Sequence, residues 1–274
     1  MSERRTFFVH IGTRKSGTTS LQASLTRSRQ ALAEQDMGFP FVDWPDHRVS
    51  LGDPLLRATG DATEAQEALS TLRNSVDRCR STTESRLLAT YEELAELDEE
   101  RVRLFTGLFG DFDLRIVITC RHWGSALPSE WQQLVKERLT GSTFPEFLDA
   151  VQDGRGRDSE LFRGRHDVVA IADRWARSVG RENVIIVPLP ARMTDPDLLP
   201  RLICSLIEVD PESLTKPPRT MNSSLGYAAA ETQELVISHG SEVSVQRKAT
   251  DSVGASWSTA QSANDRGAHQ LENA

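Results

Sequence analysis

The apolar run Thr6-Phe-Phe-Val-His-Ile11 is followed at once by Gly-Thr-Arg-Lys-Ser-Gly-Thr-Thr, residues 12–19, and then by leucines at helical spacing. A strand here must break into a glycine-bearing loop and open a helix. Gly12 and Gly17 let the backbone turn without a Cβ clash, so successive N–H groups and the helix N-terminus face one anion. Against the phosphate-loop pattern G-x-x-x-x-G-K-[ST], Gly12, Gly17 and Thr19 fit. The lysine position holds Thr18, and a lysine stands three residues earlier, at Lys15. Ser16, Thr18 and Thr19 add hydroxyl donors to the same cradle.

The displaced lysine changes the expected ligand. A lysine in its usual place reaches the β- and γ-phosphates of a nucleoside triphosphate, with a metal held by the next Ser/Thr and by an Asp ending another strand. The strand expected over Leu114-Arg-Ile-Val-Ile-Thr-Cys120 ends instead in Arg121. A cation where a magnesium ligand would stand points to a second anionic group, and no metal site is expected.

Across the chain, strands alternate with helices. A first helix is expected over Thr18 to Met37, a second from Asp61 with Glu64 three residues on, a short buried strand over Arg86–Thr90, and helical period over Glu92 to Gly110. Beyond Arg121, helices are expected over Ser125–Leu139, Phe144–Val151 and Asp167–Val179. A strand over Asn183–Val187, apolar on both faces, and helices over Asp197–Val209 and Leu225–Ser238 complete the pattern. Hairpin dipeptides are missing between the strands. The expectation is an α/β fold of three layers, with a mostly parallel central sheet, helices on both faces and the phosphate loop at the strand carboxyl ends. Residues 1–238 would form one domain, followed by a polar, loosely ordered tail over 239–274.

The chain has 274 residues and a net charge of −8, so no general basic surface exists to hold nucleic acid; cations that bind an anionic ligand must be local. Cys79, Cys120 and Cys204 are odd in number and widely spaced, which favours reduced thiols. No stretch approaches the roughly 18 apolar residues of a membrane span. A cytoplasmic protein without a membrane anchor is expected.

These residues resemble the PAPS-dependent sulfotransferases, in particular their bacterial branch. The 5′-phosphosulfate loop of that family reads much like Lys15-Ser-Gly-Thr-Thr19, and its 3′-phosphate motif is an Arg with a Ser eight residues on, the spacing of Arg121 and Ser129. His-Ile-Gly12 and Ser129-Glu-Trp-Gln-Gln-Leu-Val-Lys136 also fit the bacterial sequences. The likeness spans roughly residues 6 to 236 and is sharp only at the motifs. Arg14 stands where such loops often have Pro, and Ser20 where animal cytosolic enzymes have Trp.

The resemblance implies PAPS as sulfuryl donor and PAP as product, with Arg14, Lys15, Ser16, Gly17, Thr18 and Thr19 at the donor's 5′ end. Arg121 and Ser129 would clamp the 3′-phosphate, and Arg219 lies in a stretch resembling a late loop that closes over it. Lys15 would neutralise charge building on the leaving phosphate. The acceptor would be a hydroxyl or amine of a small molecule or glycan, activated by a general base. His47 and Glu92 are the leading candidates for that base, with Asp43 and Asp46 behind them. His10 belongs inside the strand, and His122 borders the donor pocket. Two alternatives stay open: a phosphate-loop kinase, and a catalytically inactive protein that binds PAP.

Overall fold

The computed structural model describes residues 4–190, 195 and 197–216. Arg219, the helix expected over 225–238 and the tail over 239–274 lie outside the described residues. Five strands, β1 (Thr6–His10), β2 (Met37–Gly38), β3 (Arg86–Thr90), β4 (Asp113–Arg121) and β5 (Val184–Leu189), form one sheet in the order β2-β3-β1-β4-β5. All four pairings are parallel, with His10 opposite Thr90 on one side and Val117 on the other. The chain runs outward from β1 to β2, returns through β3, and crosses to β4 and β5. The connections therefore part at β1, where an open parallel sheet leaves a crevice at the strand carboxyl ends.

Helices cover both faces, as period-two burial requires. Helices α1 (Thr18–Arg27) and α2 (Arg29–Ala33) precede β2; α3 (Trp44–His47), α4 (Asp53–Arg57) and α5 (Ala62–Ser81) separate β2 from β3; α6 (Glu99–Leu108) leads into β4. After β4 come α7 (Trp123–Lys136), α8 (Phe144–Asp153), α9 (Gly156–His166), α10 (Val168–Val179) and, beyond β5, α11 (Leu198–Leu206). Phe7, Val9, Leu87, Ala89, Ile116 and Ile118 point to one face and pack with Leu72, Phe105 and Trp175 from α5, α6 and α10. Leu88, Val117, Val187 and Leu189 point to the other and pack with Leu21, Leu25 and Ile203 from α1 and α11. Among the described residues, the main unit comprises those up to 131 and from 145 to 216; residues 132–144, grouped separately, hold the last turn of α7 and the turn after it.

Three expectations are corrected. The first helix stops at Ser28, whose φ of −102° leaves the helical range and whose hydroxyl accepts the Thr215 N–H at 2.7 Å. The stretch after β3 is a 3-10 turn, Glu92–Glu96, and α6 begins only where the Asp98 carboxylate accepts the Arg101 N–H. Helix α9 is an addition, with glycines at 156 and 164 and no apolar stripe to announce it.

Candidate functional site

The loop after β1 stays in register with β4: Ile11 N–H donates to the Val117 carbonyl at 2.9 Å and Thr13 N–H to Thr119 at 2.7 Å. Gly12 is required there, because a Cβ would meet Thr119 Oγ1 at 2.1 Å. Beyond it the backbone enters the left-handed region twice, at Lys15 (φ 63°) and at Gly17 (φ 87°), which is the N-cap of α1. No side chain caps that helix end, and its first turn holds no acid. The first N–H groups of α1 are therefore left without a side-chain cap, and a helix start of this kind favours an anion.

Below the loop lies a neutral network. The His10 ring pairs with Thr90 Oγ1 at 2.8 Å and Thr119 Oγ1 at 3.0 Å, and Ser16 Oγ meets Thr119 Oγ1 at 3.0 Å while donating to the Thr13 carbonyl at 2.7 Å. Burial lowers the His10 pKa to about 4, so the ring is uncharged. The Ser16 hydroxyl thus shapes the loop from beneath. Thr18 is buried and bonds to the Glu92 carboxyl, while Thr19 is exposed.

Arg121 arrives from the end of β4. Its Nη1 donates to the Lys15 carbonyl at 3.0 Å, so the two sequence motifs meet at one point. Its Nε is buried with no hydrogen-bond partner among the described residues, and the same holds for Thr13 Oγ1. An orphaned donor of this kind costs about 1–3 kcal/mol unless something satisfies it. Ser129 is partly exposed on α7, eight residues on, and shares a helix face with Ser125.

The base candidates separate. His47, expected in the loop after the first helix, is fully buried. Its Nδ1 donates to the Asp43 carbonyl at 2.6 Å and its Nε2 accepts the Thr90 N–H at 3.2 Å. The cause lies in β2, which pairs with β3 only at Arg86 and Leu87 and so leaves the Thr90 edge open. His47 closes the N–H side, and Gln22 Nε2 closes the carbonyl side at 3.0 Å. Burial dominates the His47 pKa and brings it to about 4, against the raising effects of the Asp43 carbonyl and nearby carboxylates. Asp43 caps α3 through the Asp46 N–H. Asp46 is held by the Val42 N–H, the Ser50 hydroxyl and Arg78. Burial pushes the Asp46 carboxyl up, and those bonds bring it below its ordinary range.

Glu92 stands where the chain leaves β3, at the same end of the sheet as the loop. Burial raises its pKa, opposed by the Thr18 hydroxyl and the Arg14 charge. Arg14, the loop residue before Lys15, pairs with Glu96 and, at 3.2 Å, with Glu93 on the turn that Glu92 opens. Arg165 of α9 then bridges Glu96 at 3.4 Å and Glu130 of α7 at 2.6 Å. His166 Nε2 completes Glu130 at 3.0 Å. Burial would raise the Glu130 pKa, but the His166 and Arg165 contacts outweigh it and hold it at about 2. Glu93, Glu96, Glu130, Arg165 and His166 were not singled out in the sequence. The one available signal was the acidic crowding of Glu92, Glu93 and Glu96 just past a strand end.

No family model and no curated protein sequence matches the chain. Among solved structures, a crystal structure of a sulfotransferase from Alicyclobacillus acidocaldarius aligns over 90% of this chain and 100% of its own, at 20% identity and a TM-score of 0.46. A crystal structure of EHV4-TK complexed with TP5A aligns over 88% and 100%, at 12% identity and a TM-score of 0.25. Among the described residues, no helix is long and apolar enough to cross a membrane.

Proposed function

We propose that this chain is a PAPS-dependent sulfotransferase acting on a hydroxyl or amine of a small molecule or glycan. The observation that carries the proposal is the Arg121–Lys15 contact: two cationic motifs a hundred residues apart in sequence share one crevice, with Arg121 Nε lacking a partner among the described residues. A ligand with phosphate at both ends of an adenosine suits that arrangement. The amides of residues 15–19 and the start of α1 would take the 5′ end, with Lys15 beside it. Arg121, through its planar fork, and Ser129 would take the 3′-phosphate.

In the reaction, the bond from sulfur to the acceptor oxygen or nitrogen forms as the S–O bond to the 5′-phosphate breaks, and the bonding pair leaves with the phosphate. Lys15 neutralises that developing charge, an effect worth roughly 3–4 kcal/mol for a preorganised donor. The acceptor proton goes to Glu92. Three features favour Glu92 over the other candidates: it is at the loop, its basicity is raised by burial, and His47 has both ring nitrogens committed to backbone groups. Arg14 occupies the donor loop but directs its guanidinium to Glu93 and Glu96, so its part is in shaping the loop.

Turnover of labelled PAPS against a panel of hydroxyl and amine acceptors tests the proposal. Sulfated product without added magnesium supports it. Phosphoryl transfer from ATP with magnesium would replace it by the kinase alternative, and PAP binding without turnover by the inactive one.

A further inference from the structure

The chain of charges beside the site has a shape that stability alone does not explain. Glu130 is fully buried and Arg165 nearly so, and burying such a pair costs several kcal/mol of hydration per ion that the attraction repays only with excellent geometry. Apolar residues would fill the same space at least as stably. What the charges supply is direction. Glu130 follows Ser129 directly, so fixing Glu130 fixes the rotation of α7 about its own axis, and with it the direction in which Ser129 points. Helix α9 also holds the start of α7, where Trp123 Nε1 donates to the His166 carbonyl at 3.2 Å and the Trp123 ring meets Phe162 edge-on at 5.3 Å. Trp123 and Glu130 are seven residues apart, two turns along one face. On the other side, the Arg165 fork reaches Glu96, which holds Arg14 of the donor loop.

We propose that Arg165 is a positioning residue: by bridging Glu96 and Glu130 it sets the register between the α7 face that carries Ser129 and the loop that carries Lys15. Arg165 is thereby the link that keeps the two phosphate subsites at the separation one ligand requires. This rests on the sulfotransferase assignment. It adds to that assignment a residue outside both motifs.

Calorimetric titration of the full-length chain with adenosine 3′,5′-bisphosphate and with adenosine 5′-monophosphate isolates the effect, because their affinity ratio reports the 3′-phosphate subsite alone. Arg165→Lys keeps Glu130 compensated but lacks the fork that spans two carboxylates. The paired substitution Glu130→Gln with Arg165→Gln removes both charges together and avoids an unpaired buried ion. The wild type should prefer the bisphosphate by about tenfold or more, from charge-assisted contacts to the added phosphate. In both variants the ratio should fall by about fivefold or more, while monophosphate affinity stays within about threefold. An unchanged ratio in either folded variant, or an equal weakening of both ligands, would overturn the positioning role and leave the sulfotransferase assignment standing. A wild type that does not distinguish the two ligands would remove both.

Discussion

The crevice is bordered by two polar regions built on opposite principles. Under the loop, His10, Thr90, Thr119, Ser16 and Thr13 are tied by uncharged hydrogen bonds, and burial keeps the histidine neutral. Beside the loop, Arg14, Glu93, Glu96, Arg165 and Glu130 alternate full charges. A neutral floor adds no negative field beneath an anion at the loop. The charged flank alternates sign from one side chain to the next, and it can orient whole elements because ion pairs with planar forks are directional. Glu92 sits between the two regions, bonded to Thr18 of the loop and near Arg14 of the flank.

The sharpest way to break this contrast is at Glu92 and His47. Glu92→Gln should lower turnover by about 10²- to 10⁴-fold with the fold intact, and the acid limb of the rate profile should disappear with the carboxylate. His47→Ala should leave turnover per folded molecule within a few fold and cost about 1–3 kcal/mol of stability, since it uncovers the Thr90 N–H in the core. The reverse pattern, measured by steady-state rates alongside urea unfolding, would exchange their roles. Next in size is Lys15→Ala, expected to reduce turnover by about two orders of magnitude or more while leaving the unfolding midpoint nearly unchanged. A near-normal rate would remove Lys15 from the chemistry.

Gly12→Ala probes the floor itself. The added methyl meets Thr119 Oγ1, so the loop must lift off β4, and anion binding should weaken along with a stability loss of roughly 1–3 kcal/mol. Equal stability and equal binding in that variant would mean that loop and strand do not pack this closely. Acid stability probes the two buried histidines together. His10 and His47 sit near 4 when folded against an ordinary 6.5, so the unfolded chain takes up protons first as pH falls. Their contribution is complete above 6.5 and is lost as pH drops through about 4, on the order of 3 kcal/mol each. Urea unfolding across that interval should show the loss, and His47→Ala should flatten part of it.

The strands of the site were legible because they are short and buried. Thr6–His10, Arg86–Thr90 and Asp113–Arg121 each present apolar side chains to two helical layers, and the glycines and lysine of the loop follow from local backbone needs. What sequence did not show depends on distant partners. Strand β2 is two residues long, too short for any periodicity, yet its early end is the reason His47 is drawn inside. Helix α9 carries Asp158, Ser159, Arg165 and His166 among its buried residues, so its inward face is polar and invisible to hydrophobic spacing. Arg165 and Glu130 acquire meaning only once α7 and α9 lie side by side.

The most direct test of the account is a structure of the protein with adenosine 3′,5′-bisphosphate bound. The account predicts the 5′-phosphate on the amides of residues 15–19 beside Lys15, and the 3′-phosphate on Arg121, with Nε satisfied, and on Ser129. A bisphosphate that touches the loop while Arg121 and Ser129 remain apart from its second phosphate would contradict it.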